Sequence, residues 1–323
     1  MRPWRRGGMR TPGIIAGHAR QFGTLAVLLA LGAAISLSTP HFLTVANLLN
    51  VAQQTVVNAL VAAGLTFVII SGGIDLSVGS ILAFAGIVMA HALRAGWPAP
   101  LAVLAGLAVG AACGAVNGGL VAFGRLPPFI ATLGMMSVAR GGALLASDGR
   151  PVSGFSAPFR WLATGEVAAV PASVLLLLAV YAAAHFALQR TKFGRYAFAI
   201  GGSEEAALLS GVPVRRYQVG IYAAGGGLAA LAAVVLTARL NSAQPIAGLG
   251  YELDAIAAAV IGGTSLMGGQ GSILGTLLGA LIMGVLRNGL NLLGVSSFIQ
   301  QVVIGAVIIA AVLFDVALKR TRR

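Results

Sequence analysis

The stretch SGGIDLSVGS, residues 71–80, decides how this chain folds. Before it, Val56–Ile70 is almost wholly apolar, and after it Ile81–Ala90 is apolar again. A carboxylate and flexible backbone interrupt a hydrophobic run that then resumes. An aspartate in the middle of a bilayer costs about 2.5–3.5 kcal/mol, and broken backbone at that depth persists only where it lines a cavity or is buried in protein. Asp75, with Gly72, Gly73 and Gly79, therefore has two readings. Either it caps the following helix from a tight cytoplasmic turn with help from Ser77, or it marks a hinge or gate on a translocation pathway. In both, the glycines permit backbone angles other residues avoid.

Composition sets the solvent. The chain has 323 residues, is 58% hydrophobic and only 9% charged, and has a mean hydropathy of +0.93. Soluble domains carry about 25% charged residues, so most of this surface faces lipid. The 45 glycines fit the same class, since glycine lets membrane helices approach closely.

Crossing a hydrocarbon core takes roughly 20 apolar residues. The pattern predicts an all-α polytopic membrane protein of about ten spans: Gly23–Leu37, Val51–Ile70, Ser77–Leu93, Ala99–Asn117, Pro128–Ala146, Ala168–Ala187, Tyr217–Leu236, Leu253–Met267, Ile273–Leu293 and Phe298–Leu318. The first follows Arg2, Arg5, Arg6 and Arg10 but no clear cleavage site, so it is expected to remain as a span. With a cytoplasmic N-terminus, fifteen Lys and Arg fall in inside segments. They are Arg2, Arg5, Arg6, Arg10, Arg20, Arg125, Arg190, Lys192, Arg195, Arg215, Arg216, Lys319, Arg320, Arg322 and Arg323. Only four, Arg94, Arg150, Arg160 and Arg239, fall outside. That bias predicts an even number of spans with both termini cytoplasmic. The net charge of +13 is then topological, and nucleic acid is not an expected partner.

The expected organisation is a cytoplasmic tail at 1–22, a transmembrane domain at 23–318 and a basic tail at 319–323. A cytoplasmic loop at 189–216 and a periplasmic loop at 147–167 interrupt the domain. The periplasmic loop carries Phe155, Phe159 and Trp161 beside Arg150 and Arg160, which suits an interfacial anchor or a ledge for a docking protein. One short similarity recurs: Gly72-Gly73-x-x-Leu76 followed by Gly79-Ser80-Ile81-Leu82, and Gly262-Gly263-x-x-Leu266 followed by Gly271-Ser272-Ile273-Leu274.

No enzyme chemistry stands out. The two lysines, Lys192 and Lys319, sit in no phosphate-binding frame. No serine occupies a nucleophile elbow. The four histidines lie far apart, and Cys113 is the only cysteine, so no internal disulfide can form. No cofactor or metal is expected on this chain.

The polar chemistry gathers in a few places. In the inside loop, Ser203 caps a short helix, Glu204 and Glu205 occupy its positive end, and Gly211 closes it. Glu252 and Asp254 open a span from the outer side. There they complement the helix dipole, or with Asn241 and Gln244 they form a mouth for a hydroxyl-rich ligand, which needs paired donors and acceptors. Arg140 and Arg287 fall within spans. Arg287 with Asn288 and Asn291, and Asn117 on the fourth span, suggest an interior polar seam, whereas Arg140 is expected to snorkel to an interface.

Glu205-Ala206-Ala207-x-x-x-Gly211 resembles the cytoplasmic E-A-A-x-x-x-G loop of bacterial ABC importer permeases, although the I-x-L-P that follows in that pattern is absent, Ile221 being followed by Tyr222-Ala223-Ala224. Residues 72–83, 191–212 and 240–295 resemble the signature stretches of the ribose/xylose/galactose-type permease family, and its ribose members most. The similarity runs from about Phe42 to Asp315. It implies a homodimeric inner-membrane permease subunit that imports a monosaccharide, a pentose such as ribose. The implied partners are a second copy of the chain, a cytoplasmic ATPase that uses ATP and Mg, a periplasmic sugar-binding protein and membrane lipid. Ser203, Glu204, Glu205, Ala206, Ala207 and Gly211 would then form the coupling helix that docks on the ATPase. A standalone secondary transporter is the alternative, but it would need a titratable relay that the few acids here do not supply.

Overall fold

The computed structural model describes the backbone of residues 12–320 and the side-chain surroundings of residues 22–313. Arg2, Arg5, Arg6, Arg10, Arg322 and Arg323, expected in the cytoplasmic tails, lie outside the described residues. The chain is helical: α1 Pro12–Ser38, α2 Val45–Ile70, α3 Val78–Arg94, α4 Ala99–Ala122 and α5 Pro128–Ser147, then α6 Ala157–Thr164, α7 Ala172–Arg190, α8 Lys192–Gly202, α9 Glu204–Leu209 and α10 Val214–Leu240, and last α11 Tyr251–Ile261, α12 Ile273–Leu292 and α13 Ser297–Arg320. Two small antiparallel pairs complete it. β1 Val152–Ser153 pairs with β4 Ser242–Ala243, and β2 Glu166–Val167 pairs with β3 Val170–Pro171.

Six of these helices, α2, α4, α5, α7, α10 and α12, are long and apolar enough to cross a membrane. The chain is an all-α, multi-pass membrane protein. The stretches Phe22–Ser38, Val78–Arg94 and Ser297–Leu313 are apolar but shorter. The sequence-based span Leu253–Met267 is corrected: α11 stops at Ile261, and 262–272 is a loop, because Gly263 takes a positive φ of 91°. Helix α8, eleven residues between α7 and α9, was not expected. Thr191 starts it by accepting from the Phe193 N–H.

Helix α2 is the axis of the bundle. Of its most apolar stretch 83% is buried inside the protein, against 22% for α4 and 28% for α5 and α7, so the latter three turn most of their apolar surface outward. Threonines and tyrosines hold α2 in place without leaving polar groups bare. The Thr66 hydroxyl pairs with that of Thr276 on α12 at 2.7 Å, and Tyr181 on α7 donates to the Ala59 carbonyl at 2.8 Å. Between α4 and α10 the driving force is close backbone packing, since apolar burial gives helices little preference for each other over lipid. A Cβ on Gly114 would lie 2.1 Å from the Tyr222 carbonyl oxygen, and one on Gly110 2.5 Å from that of Gly226.

The repeated glycine motif proves to be a repeated helix end. Gly72, at a φ of 85°, closes α2, its N–H donating to Ile69 and that of Gly73 to Val68. Gly263 closes α11 in the same way, with bonds from Gly263 to Val260 and from Thr264 to Ala259. The equivalent glycines are therefore Gly72 and Gly263, one residue out of register with the sequence match. The two ends meet, since the Gly269 N–H donates to the Ile70 carbonyl at 2.8 Å.

Candidate functional site

Three regions gather the polar side chains. In the first, α2, α10, α11 and α12 enclose a cavity of about 200 Å³. Its polar lining is Gln54, Thr55, Asn58, Arg239, Tyr251, Asp254 and Arg287. Asp254 is in the first turn of α11, where its charge complements the helix dipole. Arg287, one turn before the end of α12, donates to its carboxylate. Asp254 is buried and Arg287 half exposed, so the pair stands at the edge of the protein interior. The Asn58 carbonyl oxygen is buried with no protein partner, leaving an acceptor available at the cavity. Amides, a hydroxyl, a phenol, guanidinium groups and a carboxylate thus face one space, and together they can donate to and accept from a polyhydroxylated solute.

The second region is the segment 241–250. Asn241 sits at a left-handed φ of 51° at the end of α10, and its side-chain amide oxygen accepts from the Phe155 N–H at 2.9 Å. With the β1–β4 pairing, this binds the 147–167 segment to the 241–250 segment. The chain then runs beside α3. Ser242, Ala243, Gln244 and Ala247 share a narrow crevice with Leu82, Ala83 and Gly86, and Gly248 reaches Gly79. A Cβ on Gly79 would lie 2.1 Å from the Gly248 carbonyl and 2.7 Å from a Glu252 carboxylate oxygen. The starts of α3 and α11 therefore meet. Gly79 lies about 22 Å along α3 from Arg94, at the usual rise per residue.

Arg140 on α5 donates to the carbonyls of Pro245 and Ala247 at 2.6 and 2.8 Å. Turns that lack a regular hydrogen-bonded ladder leave such carbonyls free, and a guanidinium satisfies two at once. No sequence signal paired Arg140 with residues more than a hundred positions away.

The third region is on the opposite side of the bundle. Helix α9 begins at Ser203, whose hydroxyl accepts from the Ala206 N–H, and ends at Gly211, at a φ of 78°. Glu204, Glu205, Ala206 and Leu208 are exposed, and Leu209 is 85% exposed, while Ala207 alone is buried, against Ile200, Val212 and Val214. A capped helix so placed presents two carboxylates and two leucines outward. Beside it opens a larger cavity of about 570 Å³, lined by Gly72, Gly73, Arg125, Glu204, Arg215, Gln218 and Tyr222 among others.

The remaining expected residues are placed elsewhere. Asp75 is fully buried and accepts from both the N–H and the hydroxyl of Ser77. Asn288 exchanges amide hydrogen bonds with Asn47 on α2 at 2.8 and 3.0 Å, and Asn291 accepts from Gln300 on α13. Of the expected seam, only Arg287 reaches the first cavity; the asparagines join helices. Gln54, Asn58, Arg239 and Tyr251 were not singled out in the sequence, because each looks like an ordinary residue near a span end. Among the described residues, no three His, Cys, Asp or Glu are grouped to hold a metal ion.

Residues 47–312 match the family described as branched-chain amino acid transport system / permease component. The chain is 51% identical over 296 residues to the ribose import permease protein RbsC of Escherichia coli (strain K12), covering 90% of this chain and 92% of that one. It is 42% identical to the D-allose transport system permease protein AlsC of the same organism, over 91% of each chain. To its L-arabinose transport system permease protein AraH it is 38% identical, over 94% of this chain and 92% of that one. No solved structure matches the chain.

Proposed function

Because this chain belongs to the branched-chain amino acid transport system / permease component family, we infer that it is the membrane-spanning permease subunit of an ABC importer for a sugar, acting with a partner ATPase in the inner membrane. The family description names amino acids. The relatives at 38–51% identity are permeases for ribose, allose and arabinose, and their agreement over nine-tenths of the chain points to a monosaccharide, ribose or a related pentose. A permease subunit is not itself an enzyme. ATP and Mg are used by the partner.

The observation that carries the substrate reading is the cavity around Asp254. It offers donors and acceptors in the mixture that a neutral sugar needs, with Asp254 offsetting one of its two arginines. In this reading Asp254, Arg287, Asn58, Gln54 and Tyr251 line the path, and Glu252, Gly79, Asn241 and Gln244 belong to the outer closure held by Arg140. Helices α3 and α11 would begin inside the membrane with their N-termini facing, as broken helices do at the binding sites of other transporters. Asn288 and Asn291 shape the path by fixing α12 against α2 and α13. Gly72, Gly73 and Asp75 form the inner turn that moves when the path opens inward.

The finer arrangement follows. About ten membrane segments, with the short α11 and its loop 262–272 counted together as one of them, carry both termini on the cytoplasmic side: tail 1–22, permease domain 23–318 and basic tail 319–323. The loop 189–216 docks on the ATPase through Ser203, Glu204, Glu205, Ala206, Ala207 and Gly211. The loop 147–167 faces the periplasm and receives the sugar-binding protein. Two copies of the chain form the path, and ATP-driven closure of the partner ATPase tips the dimer between outward and inward states. A standalone secondary transporter would take up sugar without ATPase.

The testing experiment is direct uptake. The importer reconstituted in liposomes is offered labelled ribose, allose, arabinose and leucine in turn. Uptake of a sugar and none of leucine supports the reading; uptake of leucine alone contradicts it.

A further inference from the structure

We propose that Asp75, Asn117 and Tyr222 together bind one alkali-metal cation. The three come from different elements, the α2–α3 link, α4 and α10, and none is more than 1% exposed. One Asp75 oxygen accepts from the Ser77 N–H at 2.8 Å and from the Ser77 hydroxyl. The Asn117 amide nitrogen donates to that same hydroxyl at 2.8 Å. The second Asn117 N–H and the Tyr222 O–H are the donors that remain. Left without a protein partner are the second Asp75 oxygen, the Asn117 carbonyl oxygen and the Tyr222 hydroxyl. They are neighbours. Tyr222 places its hydroxyl against Gly73, where a Cβ would lie 2.2 Å from it, and packs its own Cβ beside Gly118. The Asp75 carboxylate acts electrostatically on it.

The count of atoms selects the ligand. Two acceptor oxygens and one hydroxyl lie unpartnered in this one buried corner, and the hydroxyl can turn its lone pairs toward the others. Burying a carboxylate without a counter-charge costs several kcal/mol, and no Lys or Arg acts on Asp75. A water molecule would satisfy the hydrogen bonds and leave the charge, whereas a cation satisfies both. With one carboxylate and two neutral oxygens the site suits a monovalent ion, since divalent calcium and magnesium sites draw on more carboxylate oxygen or bound phosphate. Gly73 and Tyr222 also line the 570 Å³ cavity, which gives the ion a way in and supplies water to complete its shell. The ion would tie the α2–α3 link to α4 and α10. The proposal is independent of which substrate the importer carries.

The test is thermal unfolding of the purified full-length chain in detergent, with sodium chloride exchanged for N-methyl-D-glucamine chloride at constant ionic strength and pH. A ligand that binds only the folded state raises the Tm with its concentration. We expect a saturable rise with sodium or potassium that the organic cation does not give. Asp75→Asn abolishes the rise. Tyr222→Phe, which removes one oxygen and keeps the ring, moves its midpoint to about tenfold higher salt, and it serves as the readout if Asp75→Asn does not fold. Equal Tm in all three cations would overturn the proposal and assign the atoms to water or a protonated carboxyl. A cation effect unchanged in both variants would overturn it by placing the ion elsewhere.

Discussion

Arg287 near the end of α12 holds the carboxylate of Asp254 at the start of α11. One charge of the pair is buried and the other half exposed, at the edge of a cavity that also presents Asn58 and Tyr251. The arrangement gives a buried carboxylate a counter-charge while leaving its second oxygen and the guanidinium edge for a solute.

Replacing Asp254 tests the path. Asp254→Asn keeps the shape and removes the charge, and a charged hydrogen bond contributes about 1.5–3 kcal/mol. Sugar uptake by the reconstituted importer should fall roughly ten- to hundredfold, with ATPase co-purification unchanged. Unchanged uptake would remove Asp254 from the path.

Arg287→Ala should act differently. It leaves Asp254 buried and unpaired, so stability as well as transport declines, by about 1–3 kcal/mol given the half exposure of the arginine. Combining it with Asp254→Asn should recover the lost Tm and leave uptake low. Failure of the double variant to recover stability would show that Arg287 does more than balance this carboxylate.

Helix α9 carries a separate prediction. Glu205→Lys reverses an exposed charge and alters no buried contact, so the chain should reach the membrane at normal level and lose the ATPase in a mild-detergent pull-down. Ser203→Ala removes the cap, a loss of about 1 kcal/mol, and should weaken retention less. Full retention by Glu205→Lys would place the docking surface elsewhere.

The α4–α10 contact predicts a sharp contrast between two glycines. Gly114→Ala would push a methyl group into the Tyr222 carbonyl, while Gly134 has nothing within 4 Å of its would-be Cβ. Gly114→Ala should lower the Tm by many degrees and reduce membrane level. Gly134→Ala should match the wild type in both.

Arg140 should hold the 241–250 segment closed. Arg140→Gln shortens the side chain and withdraws the nitrogen that donates to both Pro245 and Ala247, and should increase labelling of a cysteine placed at Gln244, in a chain whose Cys113 is serine. Equal labelling with and without Arg140 would assign closure to the Gly79–Gly248 contact and the β1–β4 pairing instead.

The class of the molecule was open to reading from sequence because lipid imposes it: long apolar runs and a basic bias are needed whatever the tertiary contacts. Helix α9 was also legible, since Ser203, two glutamates and Gly211 act within one short segment. Arg140 and Tyr222 were not. Their roles depend on residues brought near by the packing of α5 on 241–250 and of α10 on α4, and no local pattern encodes such pairings. The span at Leu253–Met267 was misjudged for a related reason. Gly262 and Gly263 are apolar on a hydropathy scale, yet they end α11 through a backbone conformation that hydropathy does not record.

The central claim is ATP-driven sugar import by this chain with its partners. The most direct measurement is accumulation of labelled ribose in liposomes holding the chain and its ATPase, with the sugar-binding protein on the side of the 147–167 segment. The account predicts accumulation above the outside concentration only with ATP and Mg, and its loss in Glu205→Lys. Uphill uptake that persists without ATP, or that Glu205→Lys leaves intact, would contradict it.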